Sequence, residues 1–216
     1  MQKDNKKTIR IGIDTATTGC VAITENDKVI AVLKYPEREY NKNEEKIIDA
    51  KIKVLEKQEK TKTKIKALKA EKKALKRRAV RNFKLIYDFI LPYKDRVQEV
   101  VIEEPVRQIS GMATSIDAIF ANAQTLGVYA TICSILELPY VLYSPTQWHK
   151  FFNYDNDIIG KLTSKERREK IKELSIKYCR DLFINADDFI ILPRHKNPDD
   201  NIAEAILLSK VDINID

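Results

Sequence analysis

The sequence predicts an α/β fold: five strands in one sheet of mixed direction, order 3-2-1-4-5, flanked by helices and interrupted by a long lysine-rich helical insertion. Three observations lead to it. Residues 8 to 33 contain three short runs of β-branched and apolar residues parted by small or polar turns, which read as an antiparallel meander. Two further apolar runs, 98–102 and 139–143, bracket a helical pattern, as a parallel strand-helix-strand unit requires. Right-handed crossovers then set strands one and four side by side.

The first strand is TIRIGID, where Ile9, Ile11 and Ile13 alternate with Arg10, Gly12 and Asp14 before the small-residue turn ATTG. VAIT (21–24) and KVIAVL (28–33) follow, separated by Glu25-Asn26-Asp27, residues suited to a tight turn. Residues 41 to 91 contain no Gly and no Pro and are rich in Lys, Glu, Ala, Leu and Ile, so a long helix or a helical hairpin is expected. Between 42 and 81, sixteen basic residues stand against six acidic ones, a net +10 that exceeds the +7 of the whole chain. Its apolar stripe is narrow: Ile47, Val54, Leu68 and Leu75 keep a seven-residue spacing that Thr61 interrupts, with Ile48, Leu55 and Ile65 beside them. FKLIYDFIL (83–91) is apolar enough to dock on a core.

QEVVI (98–102) ends at Glu103-Glu104-Pro105, as a central parallel strand does when its last residues face a crevice. A polar loop with Gly111 leads to a helix over 115–136, whose face Ile116, Ile119, Ala123, Leu126, Ala130, Cys133 and Leu136 is expected to pack on the sheet. PYVLY (139–143) is the fifth strand, and TQWHKFF (146–152) a short helix that closes the core with Trp148. After a polar loop over 153–164, Ser164 is the expected N-cap of a helix running to about Phe183. Pro198-Asp199-Asp200-Asn201 starts a closing helix through about Val211. One domain over 1–216 with a basic helical insertion at 41–82 is the expected organisation.

Composition narrows the partners. A sequence pI near 9.1 favours a polyanion. Cys20, Cys133 and Cys179 lack metal-ligand spacing and read as buried, reduced thiols. No run approaches a membrane span, and MQKDNKK lacks the apolar region of a secretory signal, so a soluble cytoplasmic chain with no membrane partner is expected.

The strand order places Asp14 beside Glu103, and Asp199 or Asp200 can join them from the start of the last helix. Carboxylates gathered in one pocket suit Mg²⁺ or Mn²⁺, and two such ions can stabilise both oxygens of a phosphodiester displacement. Glu103 is preferred over Glu104, because neighbouring strand residues point to opposite faces. Glu204 lies one helical turn beyond Asp200, on the same face.

IGIDTATTG, VVIEEP, SPTQWHKFF and HKNPDDNIAEAILLS, in that order and spacing, resemble a RuvC-type Holliday-junction resolvase of the RNase H-like superfamily, particularly its phage-borne relatives. The resemblance spans nearly the whole chain apart from the insertion. It implies a structure-specific endonuclease that hydrolyses branched DNA with about two Mg²⁺ or Mn²⁺ per site, leaves 5′-phosphate and 3′-hydroxyl ends, and works as a homodimer without a small-molecule cofactor. Asp14, Glu103 and Asp200 would bind the metals. Asp199, Glu204 or His195 would supply a fourth ligand, because Asn197 stands where such proteins often carry an acid or a histidine. In the insertion, KKALKRRAVR (72–81) clusters positive charge where a phosphate backbone could be tracked, so Lys72, Lys73, Lys76, Arg77, Arg78 and Arg81, with Lys161, Lys165, Arg167 and Arg168, would neutralise the DNA backbone rather than read bases; a solvated structural helix and pairing with a partner helix are the other readings of the insertion. IGIDTATTG is also similar to the first phosphate loop of sugar kinases and Hsp70 ATPases, but five glycines in 216 residues leave no paired loop. A nuclease acting on flaps or forks, and a junction-binding module without catalysis, are the remaining alternatives.

Overall fold

A computed structural model describes residues 8–16, 19–35, 42–56, 62–77, 83–105, 116–154, 161–193 and 197–212, the side chains of 42, 73–77, 116–119 and 121–122 excepted. The chain divides into two compact units, Met1–Tyr35 with Ile86–Asp216, and Pro36–Leu85.

The first unit carries the sheet. Strands β1 (Ile9–Asp14), β2 (Cys20–Glu25) and β3 (Lys28–Lys34) form the meander, and β4 (Val97–Glu103) and β5 (Tyr140–Tyr143) complete the order 3-2-1-4-5, as expected. β1 runs antiparallel to β2 and parallel to β4, and β4 runs parallel to β5. The β2–β3 turn has only Asn26 and Asp27 between the paired Glu25 and Lys28, and Asn26 takes the positive φ of 54° that such a turn requires.

The helices are α1 (Lys42–Glu56), α2 (Lys62–Arg77), α3 (Lys84–Ile90), α4 (Ile116–Ile135), α5 (Pro145–Phe151), α6 (Ser164–Leu182), the short α7 (Asp187–Ile190) and α8 (Asp200–Leu208). A 3₁₀ turn over Leu91–Arg96 joins α3 to β4, with Pro92 in its first turn. The last helix stops three residues before Val211. There Lys210 and Val211 donate to the carbonyls three residues back, Leu207 and Leu208, which tightens the end into a 3₁₀ turn. α6 is capped by Thr163 rather than Ser164. Thr163 and Glu166 bond each other's backbone N–H reciprocally, whereas Ser164 has Arg167 at the partner position and cannot close that box.

Alternation along β1 sorts its residues between two buried faces. Arg10, Gly12 and Asp14 look toward α8, which shares a core cluster with Cys20, Ala22, Val101, Trp148, Cys179 and Phe183. Ile9, Ile11 and Ile13 look the other way and are fully buried, as are Val21, Ile23, Val100 and Ile102. The polar half of the strand therefore faces a helix, not solvent. Arg10 pairs with Glu99 at 2.7 Å and donates to the Val211 carbonyl at 2.5 Å, and Thr24 donates to Ser209 at 2.8 Å within that layer. All three cysteines are buried and free.

Two packing expectations change. The face of α4 is buried only toward its C-terminal half, at Tyr129, Ile132, Cys133 and Leu136, while Ala123 and Phe120 are exposed; Ile116 and Ile119 lie outside the described side chains. In the second unit, α1 and α2 form an antiparallel hairpin, and on α1 its seam runs beside the heptad line rather than along it; the Leu75 side chain lies outside those described. Ile47 and Val54 are exposed, whereas Ile48 and Ile52 are buried, with Leu55, Ile65 and Leu68 half-buried. Helices of 15 and 16 residues are short enough to meet along an i, i+4, i+7 stripe and need no supercoil. Among the described residues no helix is long and apolar enough to cross a membrane.

Candidate functional site

Asp14 ends β1 and Glu103 ends β4, and because these neighbours run parallel the two carboxyls leave the same end of the sheet. Thr15 ties the strand ends together by donating its hydroxyl to the Glu103 carbonyl at 3.0 Å. Asp14 is fully buried: its Oδ1 accepts the Ala16 N–H at 2.8 Å, no N–H or hydroxyl donates to its Oδ2, and its carboxyl shares a hydrogen bond with the Glu103 carboxyl. Gly19 lets the turn fold back this tightly, since a Cβ there would lie 2.1 Å from the Asp14 carbonyl oxygen. Glu103 accepts from the Trp148 indole N–H at 3.4 Å. Glu104 bonds through its N–H to the Tyr143 carbonyl at 2.7 Å, and alternation sends its side chain to the other side of the strand.

The remaining acids come from the start of α8. Asp199 is its N-cap: Oδ1 accepts from the Ile202 N–H at 3.2 Å and from the Asn201 amide at 3.4 Å, and Oδ2 from Lys34 at 2.5 Å. Asp200 lies 3.3 Å from the Lys172 ammonium, and Glu204 accepts from the Ser175 hydroxyl at 3.2 Å. Gly12 allows this approach, because α8 lies backbone to backbone against β1 at that residue.

The electrostatics record the crowding. Burial, more than any other cause, lifts Asp14 above the ordinary carboxylate range, and the charges of Asp200 and Asp199 push the same way. Glu103 lies well above its usual range through burial and then the charges of Asp14 and Glu204. Glu204 is pushed up to about 8 by burial, Asp14 and Asp200. Burial would also raise Asp199, but Lys34 and the α8 backbone hold it below its ordinary value. Four acids from three elements thus act on one another across a shared space, and Asp199 is turned aside to cap a helix.

Among the described residues, no three His, Cys, Asp or Glu side chains already grip a single point. Two lysines that the sequence reading did not include, Lys34 and Lys172, sit on the acids and supply positive charge there. The donors themselves are all carboxylate oxygens, the kind hard dications take, and Asp14 Oδ2 is a buried acceptor lacking a positive partner. Asp14, Glu103, Asp200 and Glu204 therefore offer the donor chemistry that divalent ions take, with the Lys172 ammonium 3.3 Å from Asp200. His195 lies outside the described residues, and Asn197 is exposed.

Beside Asp200 and Glu204 opens a cleft of about 620 Å³ whose opposite wall is α6, with Arg167, Arg168 and Lys172. Lys165 lies on another face of α6 among Glu166, Glu169 and Glu173, and Lys161 is exposed outside the cleft. Lys72 is held by Asp49 at 2.7 Å and Glu45 at 3.1 Å, so its charge is balanced inside the hairpin. Lys73, Lys76 and Arg77 belong to α2 but their side chains are not among those described; Arg78 and Arg81 lie outside the described residues.

No protein-family model matches the chain, and no curated protein matches it. Similar solved structures include Thermus thermophilus RuvC, at 14% identity over 93% of this chain and 90% of that one with a TM-score of 0.44. T. thermophilus RuvC in complex with Holliday junction substrate is similar at 13% identity over 94% and 90%, with a TM-score of 0.40.

Proposed function

We propose that this chain is a divalent-metal-dependent endonuclease acting on branched DNA, with four-way junctions as its substrate and a homodimer as its working form. One observation carries the reading: Asp14, Glu103, Asp200 and Glu204, spread over 190 positions, act on one another at one end of the sheet, beside a cleft lined by Arg167, Arg168 and Lys172. Metal roles follow from the chemistry of the donors. Asp14 would present its Oδ2 and Glu103 its neighbouring carboxyl from the sheet side, with Asp200 and Glu204 opposite on α8. Mg²⁺ or Mn²⁺ held there would stabilise the attacking and leaving oxygens of phosphodiester hydrolysis.

The chain's own residues have separate tasks. Arg167 and Arg168 would bind phosphates flanking the cut and carry no base preference. Lys172, drawn from Asp200, would be free to do the same. Burial and the neighbouring acids push Glu204 up to about 8 and raise Asp14 and Glu103, so metal binding here would compete with protons. A dimer would offer two such centres to opposed strands. Lys34 on Asp199 and Lys172 on Asp200 favour one alternative, a module that binds junctions and does not cut them.

The test uses a synthetic four-way junction, a flap, a fork and a linear duplex of matched sequence, with Mg²⁺ or Mn²⁺. Symmetric cutting of the junction alone, lost in Asp14→Asn with junction binding retained, is the expected result. Equal cutting of the duplex would replace the reading with a general nuclease, cutting of flaps or forks with a flap nuclease, and binding without cutting with the inactive module.

A further inference from the structure

Two fully buried side chains on α5 and α6 direct polar hydrogens at the acids from behind. Trp148 on α5 is the largest fully buried side chain, and its indole N–H points at Glu103 Oε1, 3.4 Å away. Ser175 on α6 is also fully buried, with Glu204 Oε1 at 3.2 Å, the Tyr154 hydroxyl at 3.0 Å and the Ile171 carbonyl at 3.0 Å. A serine buried in a helix can satisfy itself on the carbonyl four residues back. Here the Tyr154 hydroxyl reaches the serine oxygen as a donor, which leaves the one serine proton to be shared between the Ile171 carbonyl and Glu204 Oε1. The two donors belong to one wall: Trp148 meets Tyr154 edge to face at 5.8 Å between centroids, and Tyr154 stacks on Tyr178 at 5.5 Å.

We propose that Trp148 and Ser175 are positioning residues of the acid centre, Trp148 fixing the Glu103 carboxyl from the sheet side and Ser175, backed by Tyr154, fixing the Glu204 carboxyl from the α8 side. This rests on the reading of these acids as metal ligands. Glu103 and Glu204 are the two long acids of the set, with one more rotatable bond than an aspartate, so they have most to gain from an external restraint. Each has one such donor, from an element that contributes no acid. The aromatic wall holds both donors in one frame, which fixes the spacing of the two glutamates even though they come from β4 and α8. Partners of this outer kind set metal affinity, and their removal costs about 10- to 100-fold.

The chain has one tryptophan, so the indole beside Glu103 is also its own reporter. The experiment titrates Mg²⁺ into chelator-treated wild-type protein while following tryptophan emission and, in parallel, heat by calorimetry. Emission is expected to move with the calorimetric midpoint, because loading Glu103 alters the acceptor of the indole N–H. In Trp148→Phe and Ser175→Ala, the Mg²⁺ dissociation constant is expected to rise about 10- to 100-fold. Metal-free Ser175→Ala should stay folded and melt a few degrees lower, because the buried Tyr154 hydroxyl is left unpaired. Wild-type affinity in both variants, or constant emission while calorimetry shows filling, overturns the proposal and returns these side chains to packing. Should Trp148→Phe fail to fold, Ser175→Ala and the wild-type titration decide alone. If wild type takes up no Mg²⁺, or Asp14→Asn takes it up as wild type does, the metal reading itself has failed, a result distinct from the others.

Discussion

Gly12 of β1 and Ala205 of α8 meet backbone to backbone: a Cβ on Gly12 would lie 1.9 Å from the Ala205 carbonyl oxygen. The Ser209 amide nitrogen would be 2.6 Å away, so no side-chain rotation relieves the clash. Gly12→Ala must push the helix off the strand. Overpacking of this sort costs about 1–3 kcal/mol or more, and against backbone we expect the upper end, a fall of roughly 6–12 °C in melting temperature. Mg²⁺ affinity should fall with it, because Asp200 and Glu204 move with α8. Calorimetric melting and titration check both, and a variant that melts like wild type would mean the helix docks elsewhere.

Asp199 and Glu204 should separate by what their loss does. Asp199→Ala removes a cap and the Lys34 pair, and about 1 kcal/mol from the cap corresponds to roughly 2–4 °C. Its Mg²⁺ affinity should stay near wild type. Glu204→Gln should melt no lower than wild type in chelator yet bind Mg²⁺ more than about tenfold more weakly. The reverse pattern in calorimetry would make Asp199 the ligand.

The pH dependence of the metal-free chain follows from two opposed groups. Folded Glu204, raised to about 8, keeps a proton that the unfolded chain releases near 4.5, so stability falls as pH rises through that interval. Raised Asp14 and Glu103 add to this. His149 works the other way: burial holds it down to about 4, so the folded chain refuses a proton that the unfolded chain accepts below 6.5, and stability falls on acidification there. The two effects compete below about 6.5, and only the acids remain above it. Melting temperature in chelator is expected to decline between about pH 6.5 and 8, less so in Glu204→Gln, and not at all with saturating Mg²⁺. An equal decline in the variant would remove Glu204 from this account.

Lys172→Gln should move two affinities in opposite directions. It frees Asp200 from a resident ammonium, so Mg²⁺ binds more tightly, and it takes one cation from the cleft, so junction affinity drops. The slope of log affinity against log salt should shrink by about one. Calorimetry with Mg²⁺ and binding assays over a salt series read the two effects separately. A parallel loss of both would place Lys172 in the fold rather than the site.

The sheet was legible because alternation is a strong signal. Ile9, Ile11 and Ile13 could belong only to a strand, and the length of the 103–140 interval called for a crossover to a parallel neighbour. The placement of Asp14 beside Glu103 followed from that order alone. The hairpin seam was harder, because heptad spacing marks a long coiled coil, and two short helices close on the stripe of Ile48, Ile52 and Leu55. Lys34, Lys172, Trp148 and Ser175 could not be read as part of the site. Each reaches it from an element whose approach depends on packing: the end of β3, the inner face of α6, and α5. Only Trp148 left a trace, as the sole tryptophan in a motif already noticed. Asp199 read as well as Asp200 did, since an acid at a helix start suits a cap as readily as a place facing other acids.

β1 is formed early in synthesis and α8 late, and Gly12 fits only when both are present. Until Glu204 has left the ribosome, Asp14 has no α8 to face and the acids are scattered along an unfinished chain. Any chemistry that needs all four acids together therefore waits until α8 has docked on β1.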